Sequence, residues 1–85
     1  MNNSTKYNGK LNVIGKKIKF YREKGNLSQQ GLVNKLQLVG VDIPKNSLQR
    51  IEKGNRIIKD YELAGFAKVF KISADTLLED FMQDL

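Results

Sequence analysis

Residues 43–56, IPKNSLQRIEKGNR, have the pattern of a short helix that buries one face and exposes the other. Leu48 and Ile51 are three positions apart, so they share one face of a helix with a 3.6-residue period. Pro44 suits the first position of such a helix, where its missing N–H is not needed. Gly54 suits the residue just past the end, where the chain turns left-handed. The sequence therefore predicts a short amphipathic helix between these two residues.

The polar face of this helix, over residues 44–53, carries side chains that can hydrogen-bond to a base edge or a phosphate. They are Lys45, Asn46, Gln49 and Arg50. Glu52 is the only acid in the segment, whereas a solvated surface helix more often carries both signs of charge. Taken alone, the pattern fits either a helix that binds DNA or the polar face of any small domain.

Length and residue usage exclude several classes of protein. The chain has 85 residues, enough for one domain with a modest core. It contains no cysteine and no histidine, which excludes thiol nucleophiles, disulfides, Cys/His zinc sites and histidine acid–base catalysis. No apolar stretch approaches the roughly 20 residues that cross a bilayer, and none resembles a signal peptide. We therefore expect a soluble, cytoplasmic protein without membrane contact, metal or cofactor.

The net charge of +6 is unevenly distributed along the chain. Residues 1–59 hold thirteen Lys or Arg residues against three acids, a net charge of +10, whereas residues 60–85 hold two against six, a net charge of −4. A basic body with an acidic end indicates a polyanionic partner on one side. A generic basic protein has a similar overall charge. An anionic membrane surface is a weaker alternative, because the one candidate helix needs its apolar stripe for the core.

Apolar residues recur at helical spacing in four further segments, and no stretch alternates as a strand does. The predicted helices cover residues 12–24, 28–37, 60–70 and 74–81, with caps at Asn12, Ser28, Asp60 and Ser73. Five short helices with brief connections predict a compact all-α domain over residues 11–85. The polar residues 1–10 are predicted to form a flexible tail, in which Lys6 and Lys10 could follow phosphates.

Two features of the middle of the chain are unusual. Gly31 lies inside the second predicted helix, where it costs about 1 kcal/mol relative to Ala, and it could allow another backbone to approach closely. The link over residues 38–43, LVGVDI, is too apolar for a free loop, so we expect its large side chains to pack on the core. These are Leu38, Val39, Val41 and Ile43.

Four segments of the chain together match a known family. They are IGKKIKFYRE (residues 14–23), LSQ (27–29), SLQRIEKGNR (47–56) and DYELAGFAKVFKISADTLLED (60–80). Over residues 13–80 the chain resembles the DNA-binding domain of phage repressors and Cro proteins, the lambda-repressor-like or XRE-type helix-turn-helix family. The resemblance implies a five-helix domain that binds double-stranded DNA.

The resemblance also implies roles for individual side chains. Gln29 would contact the DNA backbone and brace the third helix, while Arg22 and Glu52 would form an internal salt bridge. The positions that reach the major groove in relatives are Lys45, Asn46 and Arg50, with Ser47 and Gln49 as weaker candidates, and those that contact phosphates are Asn55 and Arg56. The residues themselves add Gln30, because the first turn of a helix has unpaired N–H groups that can hold a phosphate.

The chain departs from the family pattern at three places. The link between the second and third helices is about five residues longer than usual, as in a long-turn subgroup. The orientation of the third helix is therefore left open. Val33 replaces a small residue where these helices cross, so we expect them to lie slightly farther apart. Gly31 replaces the acid that often completes the cap of the second helix.

The predicted function is sequence-specific regulation of transcription, as a repressor that pairs as a homodimer on a two-fold DNA site. The candidate dimer surface is Leu78, Phe81, Met82 and Leu85, although Leu78 and Phe81 could instead close the monomer core. A second hypothesis is a protein-interaction module on the same fold, such as an antitoxin or a bridging factor that uses Phe20 or Phe81. An enzyme is disfavoured, because no nucleophile–base pair, phosphate loop or metal cluster is visible.

Overall fold

The computed structural model describes residues 7–85, and this part of the chain forms five helices. They are α1 (Gly15–Lys24), α2 (Gln29–Leu38), α3 (Lys45–Glu52), α4 (Asp60–Phe70) and α5 (Ala74–Asp84). The all-α five-helix architecture that the apolar spacing predicts is therefore confirmed. Residues 1–6 of the predicted tail lie outside the described residues. Residues 7–10 form a tight turn, in which the backbone N–H groups of Tyr7 and Lys10 each donate to the other residue's carbonyl oxygen.

All five helices contribute to one core. Its fully buried side chains include Ile18, Leu32, Leu36, Ile43, Leu48, Ile51, Phe66 and Leu77. The second and third helices pack on each other, and the first and fourth close the core around them. Each of these residues belongs to an apolar stripe with helical spacing, except Ile43, which enters the core from the link before α3. Burying each of these large side chains stabilises the fold by roughly 1.5–3 kcal/mol.

Two serine caps fix the starts of α2 and α5, as the sequence predicts. Ser28 Oγ accepts a hydrogen bond from the Gly31 N–H at 2.9 Å, and Ser73 Oγ accepts one from the Thr76 N–H at 3.1 Å. Each bond satisfies an N–H group that the first helical turn would otherwise leave unpaired.

The starts of α1 and α4 differ from the prediction. Asn12 lies three residues before α1, and its Oδ1 accepts hydrogen bonds from the N–H groups of Ile14 and Gly15. Asp60 is the first residue of α4 rather than its cap. The buried Glu62 carboxylate instead accepts the N–H of Lys59, the residue before the helix, at 2.9 Å. Asp60 still accepts a first-turn N–H group, that of Tyr61, at 2.7 Å.

Close backbone approach occurs at Gly15 and not at Gly31. A Cβ atom at Gly15 would overlap the carbonyl oxygen of Ile51, so α1 and α3 can touch only because residue 15 has no side chain. At Gly31 a Cβ atom would meet only the side chains of Ser28 and Leu27, at 3.2 and 3.5 Å. The close contact that the sequence left open at Gly31 is therefore made by a different glycine.

The link between α2 and α3 packs on the core through only half of its apolar side chains. Val41 and Ile43 are buried, as predicted, but Leu38 is 85% exposed and Val39 is 39% exposed. α2 continues to Leu38, two positions beyond the buried Leu36, which places Leu38 on the opposite side of the helix. No helix within residues 7–85 has the length and apolar character needed to cross a bilayer.

Candidate nucleic-acid interface

α3 is held by one face and exposes the other. Leu48 and Ile51 are fully buried, and the carboxylate of Glu52 lies beside them with only 5% of its side chain exposed. Pro44 precedes the helix in an extended conformation as its cap residue, one position earlier than predicted. After Lys53 the chain turns at Gly54, whose φ of +79° is the left-handed conformation predicted for it.

The exposed face of α3 is polar and basic. It comprises Lys45, Asn46, Gln49, Arg50 and Lys53, all exposed. Among these side chains only that of Asn46 hydrogen-bonds within residues 7–85, from its Oδ1 to the Ser47 N–H at 2.9 Å. Ser47 itself is half-buried at the edge of this face. Lys53 was not among the predicted contacts, although its spacing of four from Gln49 indicates the same face.

A buried ion pair joins α1 to the end of α3. Arg22 donates from Nε to Glu52 Oε2 at 2.7 Å and from Nη2 to Glu52 Oε1 at 3.1 Å, the pair that the resemblance implies. Its Nη1 donates to the Leu27 carbonyl oxygen at 2.9 Å. The hydrogen bond to Glu52 raises the pKa of Arg22, although partial burial acts in the opposite direction. Arg22 therefore supports α3 from behind and does not belong to its exposed face.

Gln29 connects the start of α2 to the same carboxylate. Its Nε2 donates to Glu52 Oε1 at 3.1 Å, so the side chain braces α3 and is half-buried. Gln30 is exposed beside it and donates to Asn34 Oδ1 at 2.9 Å. The two glutamines of the first turn thus differ: the first is bonded towards the inside of the protein, and the second faces outwards.

Arg56 forms an ion pair that the sequence analysis did not predict. Its Nη1 and Nη2 donate to the two carboxylate oxygens of Glu62 at 2.9 and 3.1 Å, and Nη1 also donates to the Ile57 carbonyl oxygen. The Glu62 side chain is 3% exposed. Because this guanidinium neutralises a buried carboxylate, we assign Arg56 a structural role. Its predicted phosphate contact stays a prediction. Asn55, its neighbour, is exposed.

Glu62 is a charged group held in its ionised form. Burial raises the pKa of its carboxyl group, but the hydrogen bonds from Arg56 and from the Lys59 N–H outweigh that effect and lower the pKa below its ordinary value of 4.5. The site contains no candidate metal ligands: within residues 7–85 no three acidic, histidine or cysteine side chains are grouped so as to hold an ion.

The predicted dimer surface is only partly exposed. Leu78 packs against the core, and the ring of Phe81 lies 4.9 Å from that of Tyr7 in an edge-to-face arrangement. Met82 and Leu85 are 60% and 78% exposed. The structure therefore leaves the last two members of the predicted set accessible and packs the first two against other parts of the chain.

No family model and no curated protein matches the sequence, but solved structures do. The crystal structure of SinR, the master regulator for biofilm formation, in complex with DNA matches with a TM-score of 0.67 and 28% identity, covering 78% of this chain and 98% of that one. A complex of SinR protein with SinI protein matches with a TM-score of 0.68 and 27% identity, covering 86% and 67%. These likenesses confirm the resemblance stated for the sequence, and they support the prediction that the chain is not an enzyme.

Proposed function

We propose that this chain, a helix-turn-helix transcription regulator of the lambda-repressor-like kind, binds double-stranded DNA and recognises its sequence through the exposed face of α3. The observation that carries the proposal is a polar, basic face on a short helix whose opposite face is fixed by Leu48, Ile51 and Glu52. A helix held in this way can enter the major groove without losing its packing.

The chemistry of the exposed face suits base edges. Arg50 can donate two hydrogen bonds to O6 and N7 of guanine, and Asn46 can pair with N6 and N7 of adenine. Each well-formed bidentate contact would discriminate against the wrong base by about 1–3 kcal/mol. Lys45, Ser47 and Gln49 are further candidates at the same groove. We expect Arg50 to contribute most, because it is exposed and its guanidinium can make a bidentate contact with guanine.

Phosphate contacts would come from the edges of this surface. Gln29 and Gln30 lie in the first turn of α2, and Lys53 and Asn55 follow the recognition residues of α3. Such contacts are independent of sequence and weaken as salt rises. The similar SinR structure is a complex with DNA, which supports DNA as the class of partner. Repression would follow if the bound protein excluded other proteins from the same stretch of DNA.

Sequence-specific binding by this domain would require two copies. α3 has eight residues, too few to read more than part of one groove turn. Two domains related by a two-fold axis would place their α3 helices about 34 Å apart, one turn of the duplex. We propose Met82 and Leu85 as the centre of the pairing surface, because both are apolar and exposed, Met82 on the acidic α5 and Leu85 directly after it.

The test is selection of bound duplexes from a random pool, followed by affinity measurements with the selected sequence and with random DNA. The unmodified protein should select a two-fold motif. Arg50→Ala should lose most of the preference for that motif while still binding random DNA. Lys68→Ala, which removes the same charge from the exposed side of α4, is the control and should keep the preference. Equal affinity of the unmodified protein for both DNAs would contradict the proposal.

A second candidate function is a protein-interaction module, favoured by Phe20, whose side chain is 55% exposed on α1. The matching complex of SinR with SinI protein shows a similar chain bound to another protein. Gel filtration with mass measurement, alone and with cell lysate, separates the two functions. A stable complex with a second protein, together with failure to bind any DNA, would favour this candidate.

A further inference from the structure

The turn over residues 7–10 lies between two helices that are far apart in sequence. On one side, the ring of Tyr7 packs edge-to-face on Phe81 of α5, with ring centres 4.9 Å apart. The turn is closed by two backbone hydrogen bonds of 2.8 and 2.9 Å between Tyr7 and Lys10. Residues 7–12 are called the N-terminal strap below.

On its other side the strap contacts the end of α3. The Leu11 N–H donates to the Gly54 carbonyl oxygen at 2.8 Å, and Lys10 Nζ donates to the Lys53 carbonyl oxygen at 3.1 Å. The Lys10 side chain also covers Gly54, where an added Cβ atom would lie 2.6 Å from Lys10 Cδ. Gly54 is therefore needed for its left-handed φ, and the flexible Lys10 side chain lies over it.

Asn12 connects the strap to two helices at once. Its Oδ1 accepts the N–H groups of Ile14 and Gly15 at 3.1 and 2.8 Å, at the start of α1. Its Nδ2 donates to the carbonyl oxygens of Ile51 and Arg56, both at 2.9 Å. One half-buried side chain thus makes four hydrogen bonds, two of them to the end of α3 and the segment after it.

These contacts satisfy groups that a helix normally leaves unpaired. The last carbonyl groups of an α-helix have no partner within the helix. Here the strap supplies donors for four carbonyl oxygens, those of Ile51, Lys53, Gly54 and Arg56, from about forty positions earlier in the chain. The Ile51 oxygen also accepts the Gly54 N–H. Without them the end of α3 would be held chiefly by its buried face and by the hydrogen bonds of Arg22 and Gln29 to Glu52. The exposed face of α3 would then be less firmly oriented.

We propose that the N-terminal strap fixes the orientation in which α3 is presented, with Asn12 as its positioning residue. The Tyr7–Phe81 contact couples this orientation to α5. A partner or second copy that displaces Tyr7 from Phe81 changes the affinity of α3 for its target, and target binding changes affinity at α5 by the same factor. The effect on sequence preference rests on the proposed function; the coupling of the strap to α3 does not.

Asn12→Asp separates the two roles of this side chain. The carboxylate keeps the acceptor for Ile14 and Gly15 but has no donor for Ile51 and Arg56. We expect its affinity for the selected duplex to fall about tenfold, a typical coupling factor, with less than a twofold change on random duplex. Ser73→Ala, which removes the cap of α5, controls for lost stability and should keep the ratio of the two affinities. An unchanged ratio in Asn12→Asp overturns the positioning role.

Amide NMR signals of Gly54 and Asn55, recorded without DNA, test the coupling directly. Tyr7→Ala should shift these signals and speed their hydrogen exchange, whereas Tyr7→Phe, which keeps the ring, should not. Unchanged signals in Tyr7→Ala overturn the coupling to α5. If the unmodified protein selects no DNA motif, the proposed function fails. In that case, hydrogen exchange of the same two amides in Asn12→Asp tests whether the strap holds the end of α3. Exchange that is unchanged overturns this role of the strap.

Discussion

Arg50 and Arg56 lie six positions apart and acquire different roles from their surroundings. Arg50 is exposed on α3, whereas both terminal nitrogens of Arg56 are bonded to the buried Glu62. Two arginines, one in α3 and one just after it, cannot be told apart by residue type. The partner decides, because a guanidinium that neutralises a buried carboxylate cannot leave it for a phosphate without exposing an unpaired charge.

Breaking the Arg22–Glu52 ion pair should cost more stability than replacing both of its members with apolar residues. Arg22→Met leaves the Glu52 carboxylate buried without its partner, so we expect the free energy of unfolding to fall by about 3–5 kcal/mol. The double variant Arg22→Met, Glu52→Met should lose much less than the sum of the two single changes, because no charge is left unpaired. Urea unfolding of the four proteins measures the difference. Additive losses would show that the pair is not coupled.

Glu62 should make stability depend on pH. Because its pKa is lowered in the folded protein, its contribution is complete above the pKa of the unfolded chain and is lost as pH falls through the folded value. Glu62→Gln should therefore be less stable than the unmodified protein by about 1–3 kcal/mol at pH 7, and the gap should narrow below about pH 4.5.

Urea unfolding at pH 7, 5, 4 and 3 measures this gap. Glu79→Gln is the control, since Glu79 is half-exposed and its one ion pair within residues 7–85 is with Lys17 at 3.4 Å. It should change stability by less than about 1 kcal/mol at neutral pH. A gap between Glu62→Gln and the unmodified protein that widens towards acid pH would contradict the assigned sign.

At the scale of helices, local patterns predicted which segments are helical better than where they begin. Apolar spacing identified all five helices, and Ser28 and Ser73 cap as their type suggests. The errors lie where side-chain hydrogen bonds, and not apolar spacing, decide how a helix begins. Asn12 bonds to the end of α3 as well as to the start of α1, and Glu62 accepts the N–H of Lys59 before α4. The polar face of α3 was predictable from its own period, but the strap behind it was not.

The contact between α1 and α3 should depend on Gly15. Gly15→Ala forces a Cβ atom against the Ile51 carbonyl oxygen, so we expect the free energy of unfolding to fall by about 1–3 kcal/mol. Gly31→Ala is the matched control. Its gain in helix propensity of about 1 kcal/mol is offset by the tight approach to Ser28, and the net change should stay small. Thermal unfolding of both variants measures this, and equal losses would argue against a close contact at Gly15.

For the molecule as a whole, the two ends differ in charge. Residues 1–59 carry +10 and residues 60–85 carry −4, and the acidic share is concentrated on α5, which also exposes Met82 and Leu85. A polyanion would be attracted to the basic part and repelled by the acidic end. The acidic helix is therefore better suited to a protein contact than to DNA, and it leaves the face of α3 available.

Pairing through α5 predicts a loss of both self-association and affinity when its exposed apolar residues become charged. The double variant Met82→Glu, Leu85→Glu should sediment as a monomer with the selected two-fold duplex. Its affinity for that duplex should fall roughly 100-fold or more, since linking two binding modules typically raises affinity 10²–10⁴-fold. The charge-matched control is Leu38→Glu, Val39→Glu, which alters two exposed apolar residues at the end of α2 and should still bind as a dimer. Sedimentation velocity with and without the duplex measures the association of both variants.

A dimer that persists in the α5 variant would place the pairing surface elsewhere. A dimer lost only in the α2 variant would place it beside the link that precedes α3.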